Sequence, residues 1–237
     1  MDTRKLIEID RMLDEAFQQF FLLTEEDKAE YEQIKTEMKE QTEFLWADFS
    51  VTTLKYHALS KEHVRIGLGF RKAFEIMNMF YEIDKTTSKS KITKSLADAL
   101  QYLTSVETNG ELAANMMLLL LTADGNYIHL QPDRKHWYVR HATRLKDFET
   151  PNLSLGTKID FLNSCGLTFF GKWIKTGLRN RIAHADFQID KEGNCFIIEE
   201  KDGNEIKKLF DVSKELRTFQ MYSNAFNSML MEHTAQM

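Results

Sequence analysis

Only two cysteines, Cys165 and Cys195, occur in 237 residues, too few for a zinc quartet and no basis for a disulfide framework. That scarcity, with no secretory signature, points to a reduced cytoplasmic setting. Proline is equally rare. Pro132 and Pro151 are the only two, so long helices are allowed almost everywhere else. Long apolar runs are missing as well: the greasiest stretch, residues 116–121, falls far short of the roughly 20 residues that span a bilayer. The first 15 residues mix charges throughout and lack an apolar signal core, which predicts no secretory leader and no membrane partner. Nor is there an excess of positive charge. A net charge of -5 argues against a nucleic-acid coat protein and leaves room for a local basic groove. Hydrophobic residues at 43% and charged ones at 28% suffice for a globular core.

Several chemistries are excluded by motifs that are absent. Gly67 and Gly69, or Gly166, Gly171 and Gly177, form no phosphate loop followed by Lys and Ser or Thr. No Gly-x-Ser-x-Gly elbow is present. His129, His136 and His141 are neighbours, yet no Cys or carboxylate spacing around them matches a zinc site, so no metal and no cofactor are predicted. The methionine pair Met116-Met117 fits core filling.

Helical periodicity is what the chain does have. Ile7, Met12, Phe17, Phe20 and Phe21 recur at roughly helical spacing. Thr24 followed by Glu25, Glu26 and Asp27 predicts a capped helix start, running through Tyr31, Ile34 and Met38 towards Tyr56. Val64, Leu68, Ala73, Ile76 and Phe80 mark another helix. Residues 85–91 (KTTSKSK) carry no apolar side chain and predict an exposed linker. Helical patterns resume over 92–103 and 112–121, and Thr150-Pro151-Asn152 is a second break. Phe170, Ile174, Leu178 and Ile182, at four-residue spacing, predict one amphipathic helix stripe within 157–184.

The pattern then changes. Residues 187–190, 195–200 and 205–209 predict short strands joined by turns at Gly193 and Gly203. Ser213 is predicted to cap a closing helix with Leu216, Phe219, Ala225 and Leu230 on one face. The expected fold class is therefore all-α, mainly α: a helical bundle with a small β meander before the C-terminal helix. Residues 1–84 are expected to form N-terminal long helices packing on the core, and 92–235 to form the bundle.

Arg179-Asn180-Arg181-Ile182-Ala183-His184 closes the apolar helical row and sets three groups suited to phosphate chemistry side by side. Arg179 presents a permanently charged planar fork. Asn180 both donates and accepts, and His184 can give or take a proton near neutral pH. Spacing alone is weak. With 7 His in 237 residues, a given Arg meets a His at one fixed offset about 3% of the time. The plainer alternative is structural: His184 ends a helix where a cation is favourable, and Arg179 pairs with an acid. A second basic stretch, with Arg134, Lys135, Trp137, Arg140 and Arg144, interleaves cations and aromatics in a way that suits single-stranded RNA. Its alternative is an amphipathic helix with Trp137, His141 and Leu145 facing inward.

The stretch from Leu178 to Phe187, LRNRIAHADF, resembles the signature of HEPN domains (higher eukaryotes and prokaryotes nucleotide-binding), an Arg, a polar residue often Asn, then a His a few positions on. The likeness extends over roughly 92–233, with specificity only near the motif, and leaves the helices before Lys85 unexplained. It implies an α-helical bundle. It also implies a metal-independent endoribonuclease of toxin–antitoxin or antiviral defence type, acting on RNA through a cleft made by two protomers. On that resemblance Arg179 holds the scissile phosphate, Asn180 positions motif or substrate, and His184 does acid–base work. The partners implied are RNA, a second copy in a homodimer and a separate antitoxin protein. Some HEPN domains are non-catalytic binding modules, so a helical RNA-binding or protein-interaction module with the same fold is the second expectation. Helix geometry adds a constraint. Five residues on a straight α-helix place Arg179 and His184 about 140° apart. Either the helix breaks near Gly177 and Arg179, or a second copy completes the site.

Overall fold

The computed structural model describes residues 24–46, 91–123, 153–201 and 204–235, with residues 8, 11, 12, 14, 15, 17–19 and 22 before them. The expected helix around Val64 to Phe80, most of the 85–91 linker, the break at 150–152 and the basic stretch containing Arg134, Lys135, Trp137, Arg140 and Arg144 lie outside these residues. Within them the fold is mainly helical, with a small antiparallel sheet before the C-terminal helix. Helix α1 spans Glu25–Trp46, and α2 spans Lys91–Ser105. A π-helical turn at Val106–Gly110 leads directly into α3, Glu111–Ala123. Then come α4 (Leu155–Ser164), α5 (Phe169–Trp173) and α6 (Thr176–Ala183). Strands β1 (Gln188–Ile189), β2 (Cys195–Lys201) and β3 (Asn204–Phe210) form the meander, and α7 (Val212–Ala235) closes the chain.

The start of α1 is set as its sequence requires. Thr24 Oγ1 accepts from the Asp27 N–H at 3.1 Å, and the Asp27 carboxylate accepts from the Thr24 N–H at 3.2 Å. Asp27 also accepts from Arg217 of α7 at 2.9 Å, tying the two helices together. Burial pushes the Asp27 carboxyl up, but the bonds from Arg217 and Thr24 outweigh it and hold the group below the usual carboxylate range. A carboxylate so held stabilises the fold above its unfolded pKa, and that contribution is lost as pH falls through the folded value. In urea unfolding, the stability gap between wild type and Asp27→Asn is therefore expected at pH 7 and should close below about pH 4. An unchanged gap at pH 3 would remove Asp27 from the acid response.

Helix α7 is the central post. Both α1 and α2 pack along it, α3 lies on α4, and α6 lies on α2. Trp173 of α5 sits among Phe170, Phe219, Tyr222 and Phe226, with ring centroids 5.3–6.3 Å away. Burying each such ring contributes about 1.5–3 kcal/mol, so this cluster outweighs any single polar contact nearby. Gln41 of α1 caps α5 from outside, accepting from the Phe169 N–H at 3.1 Å and donating to Thr168 Oγ1 at 2.9 Å.

Two expectations need correction. The row Phe170, Ile174, Leu178 and Ile182 does not lie on one helix but is divided between α5, its exit and α6. Upstream, α4 ends in a left-handed Gly166 at φ 86, with Gly166 N–H on Asn163 O and Leu167 N–H on Leu162 O. At Ile174 the backbone turns extended, φ -111 and ψ 94, which suits a β-branched residue. The turn buries Ile174 against Gly110, where an added Cβ would lie 3.1 Å from Ile174 Cδ1. Second, Ser213 is inside α7 and does not cap it. Asp211 does, its carboxylate accepting from the Lys214 N–H at 3.0 Å, while Ser213 Oγ donates to Asp98. The apolar face itself is as expected: Leu216, Phe219, Ala225 and Leu230 are buried.

The strands fall close to the expected 187–190, 195–200 and 205–209, and the second turn residue, Gly203, lies outside the described residues. The sheet order is β1-β2-β3, with Phe196 opposite Leu209 and Ile198 opposite Lys207. Gly193, at φ 85, makes the first turn, and its carbonyl accepts from Ser95 Oγ of α2 at 2.5 Å. An added Cβ there would sit 2.9 Å from the Lys91 carbonyl oxygen, so the turn is seated directly on the start of α2.

Candidate functional site

The motif residues occupy α6 and its exit. Lys175 leads into the helix, its N–H donating to the buried Tyr102 hydroxyl of α2 at 3.3 Å and its Nζ pairing with Glu215 of α7. From Thr176 to Ala183 the helix is unbroken, so no kink near Gly177 or Arg179 turns Arg179 towards His184. His184 is the C-cap residue, at φ -92 and ψ 6. The next residue, Ala185, adopts a left-handed backbone at φ 54, the one non-glycine to do so among the described residues. The Ala185 N–H bonds Ile182 O at 3.1 Å and the Asp186 N–H bonds Arg181 O at 2.7 Å. These two bonds form the helix-ending loop that usually recruits glycine, so alanine carries a local strain of about 1 kcal/mol directly beside His184.

Arg179 is the best-anchored of the three. Its Nε and Nη2 both meet one carboxylate oxygen of Glu107, in the π turn, and its Nη1 donates to Asn180 Oδ1 at 2.8 Å. Among the described residues three of the five guanidinium N–H groups are thereby engaged, and two have no partner there. Asn180 is exposed, and its amide nitrogen has no partner among the described residues. His184 is exposed too, and its ring has none either. The structure therefore brings Glu107, Arg179 and Asn180 together and leaves His184 one turn along, facing solvent.

No family model, curated protein or solved structure matches the chain.

The second arginine of the motif has a different job. Arg181 Nη1 donates to Asp186 at 2.8 Å and to the Ile198 carbonyl at 3.1 Å, clamping the end of α6 to β2. Glu107 escaped sequence reasoning altogether. It lies 72 residues before Arg179, and its only local mark is its place one turn beyond Leu103 on a helix of ordinary pattern. Neither cysteine suits nucleophilic work. Burial pushes the Cys165 thiol up to about 11, a bond to Ser164 offsetting only part of it. Cys195 is raised as well, by burial first and then by the charges of Asp98, Asp211 and Asp190, against a lowering bond from Ser95. Among the described residues no group of three or more His, Cys, Asp or Glu converges as a metal site, and no helix is long and apolar enough to cross a membrane.

Proposed function

We propose that this chain is a HEPN-type, metal-independent endoribonuclease whose site is shared between two copies. The observation that carries the reading is the exposed His184 ring at the end of α6, without a partner among the described residues and one turn along from an arginine held by a carboxylate with two N–H groups to spare. In the reaction the ribose 2′-oxygen attacks phosphorus and the bond from phosphorus to the 5′-oxygen breaks, leaving a 2′,3′-cyclic phosphate and a 5′-hydroxyl. His184 takes the 2′-hydroxyl proton or supplies one to the departing oxygen. Arg179 meets the charge that builds on the phosphoryl oxygens, and Asn180 steadies the guanidinium and offers its amide to the substrate. No step needs a metal when the ribose supplies the nucleophile. The HEPN resemblance sets such an enzyme in toxin–antitoxin or antiviral defence, with a separate antitoxin protein, and gives the basic stretch at Arg134, Lys135, Trp137, Arg140 and Arg144 the task of guiding the strand.

One observation favours a second reading. Glu107 already compensates the charge of Arg179, as a non-catalytic RNA-binding or interaction module would tolerate. Incubating the pure protein with mixed RNAs in EDTA separates the two. Cleavage that falls by about 10²–10⁴-fold in His184→Ala, with unfolding behaviour unchanged, is the expected result. Cleavage undiminished in that variant removes His184 from the chemistry, and an RNA gel shift without any cleavage favours the module.

A further inference from the structure

Every cation from the end of α5 to the end of α6 already holds a carboxylate. Lys172 pairs with Glu37 at 2.6 Å, Lys175 with Glu215, Arg179 with Glu107, and Arg181 with Asp186 at 2.8 Å. Four cations matched by four acids leave these pairs no surplus positive charge. A phosphate monoester carries about -1.5 to -2 charges at pH 7, and a site built to hold one gathers cations in excess. A phosphodiester carries only one charge. At the candidate site the pair is Arg179 with Glu107. The carboxylate takes the Nε and Nη2 side of the guanidinium and Asn180 Oδ1 takes one Nη1 hydrogen. Two N–H groups then have no partner among the described residues.

We propose that Glu107 is the specificity-determining residue of this site: by holding the charge around Arg179 at zero, it admits a phosphodiester from the interior of a strand and turns away phosphate monoesters. The inference rests on the reading that Arg179 meets a phosphate, and it names which phosphate. Carboxylate and ligand share one planar guanidinium, so a phosphate on the remaining N–H groups lies about 6 Å from Glu107. The pair is partly exposed, Arg179 at 28% and Glu107 at 36%, which sets the local dielectric between that of protein and that of water. Under those conditions each negative charge on the ligand loses roughly tenfold in affinity to the carboxylate. A diester loses that factor once, and a monoester nearly twice. The step written above is compatible with such a filter, because its products are a cyclic diester and a 5′-hydroxyl and no monoester is formed. Glu107 acts through Arg179 and takes no proton itself, so its effect is on which ligand binds.

Two ligands that the protein cannot cleave test the filter: a 2′-deoxy dinucleotide with one internal phosphodiester, and the 2′-deoxynucleoside 3′-monophosphate of the same base. Each is titrated into the full chain at about pH 7.5 and low salt, and Kd is read from the backbone amide signals of Arg179 and Asn180. Wild type is expected to bind the dinucleotide more tightly. In Glu107→Gln, which keeps the shape and an acceptor oxygen, the monoester should gain about 100-fold and the dinucleotide about tenfold, so the preference falls about tenfold. A variant that merely loosens the fold weakens both ligands alike and leaves their ratio where it was. A wild type that prefers the monoester overturns the inference without any substitution, and so does a preference unchanged in Glu107→Gln. If that unchanged preference accompanies RNA cleavage, the filter alone is lost. The expected fall supports the filter even where no RNA is cut, in which case it is the nuclease reading that fails. If neither ligand moves the Arg179 and Asn180 signals, the phosphate site itself is gone and the inference with it.

Discussion

A chain carrying Arg179→Ala, inactive alone, should regain cleavage when co-expressed with one carrying His184→Ala. In a site built from the arginine of one copy and the histidine of the other, a mixed dimer has one intact site and one lacking both groups. Random pairing makes half the dimers mixed, so activity should recover to about a quarter of wild type. Each variant by itself should lie at least about 100-fold below wild type, the usual loss when a proton-transfer group or a phosphate-facing cation is removed. The measurement is the cleavage rate of a fluorescent RNA in EDTA on the co-expressed mixture, and mixed dimers purified through two different tags should reach about half of wild type. If Arg179 and His184 of one chain serve the same phosphate, the mixture stays as inactive as its parts, and the shared cleft is lost.

The largest effect on stability is expected at Glu111. Its carboxylate accepts from Lys158 Nζ at 2.6 Å, and the Lys158 side chain is fully buried while Glu111 is 33% exposed. Glu111→Ala leaves an ammonium in the core without a counter-charge, a change that costs about 3–5 kcal/mol when the pair is fully desolvated. Partial exposure of Glu111 puts the expected loss near the lower end, about 3 kcal/mol, or roughly 100-fold in the folding equilibrium. Lys158→Met is the informative contrast. It fills the same space without a charge, and the abandoned carboxylate can turn to water, so the expected loss is under about 1 kcal/mol. Urea midpoints at constant slope measure both. Equal losses in the two variants would mean that packing, and not the stranded charge, sets the cost.

Local chemistry made much of this fold legible. Thr24 and Asp27 announce α1 because a hydroxyl and a carboxylate three apart satisfy each other's backbone donors. The meander could be read from short apolar segments on either side of Gly193, since turn geometry is a short-range property. The division of α5 from α6 was hidden for a definite reason. Phe170, Ile174 and Ile182 are buried, as a single continuous stripe would have them, so burial spacing alone does not distinguish an unbroken helix from one that opens at Ile174. The displaced cap has a similar origin: Asp211 and Ser213 both suit the position, and Ser213 is drawn to Asp98 on a different helix. For the site, the sequence pointed to Arg179, Asn180 and His184 through their chemistry. It gave no sign of Glu107, because an ion pair across 72 residues is decided by how α6 lies on α2.

The π turn between α2 and α3 matters through helical phase. In it the Glu111 N–H reaches back five residues to the Val106 carbonyl, so this single turn holds one residue more than its neighbours. On a regular α-helix Glu107 and Glu111, four apart, would lie within about 40° of each other and repel. The extra residue shifts the phase between them, and the two like charges on one continuous helix pair with different cations, Glu107 with Arg179 at the rim and Glu111 with Lys158 inside.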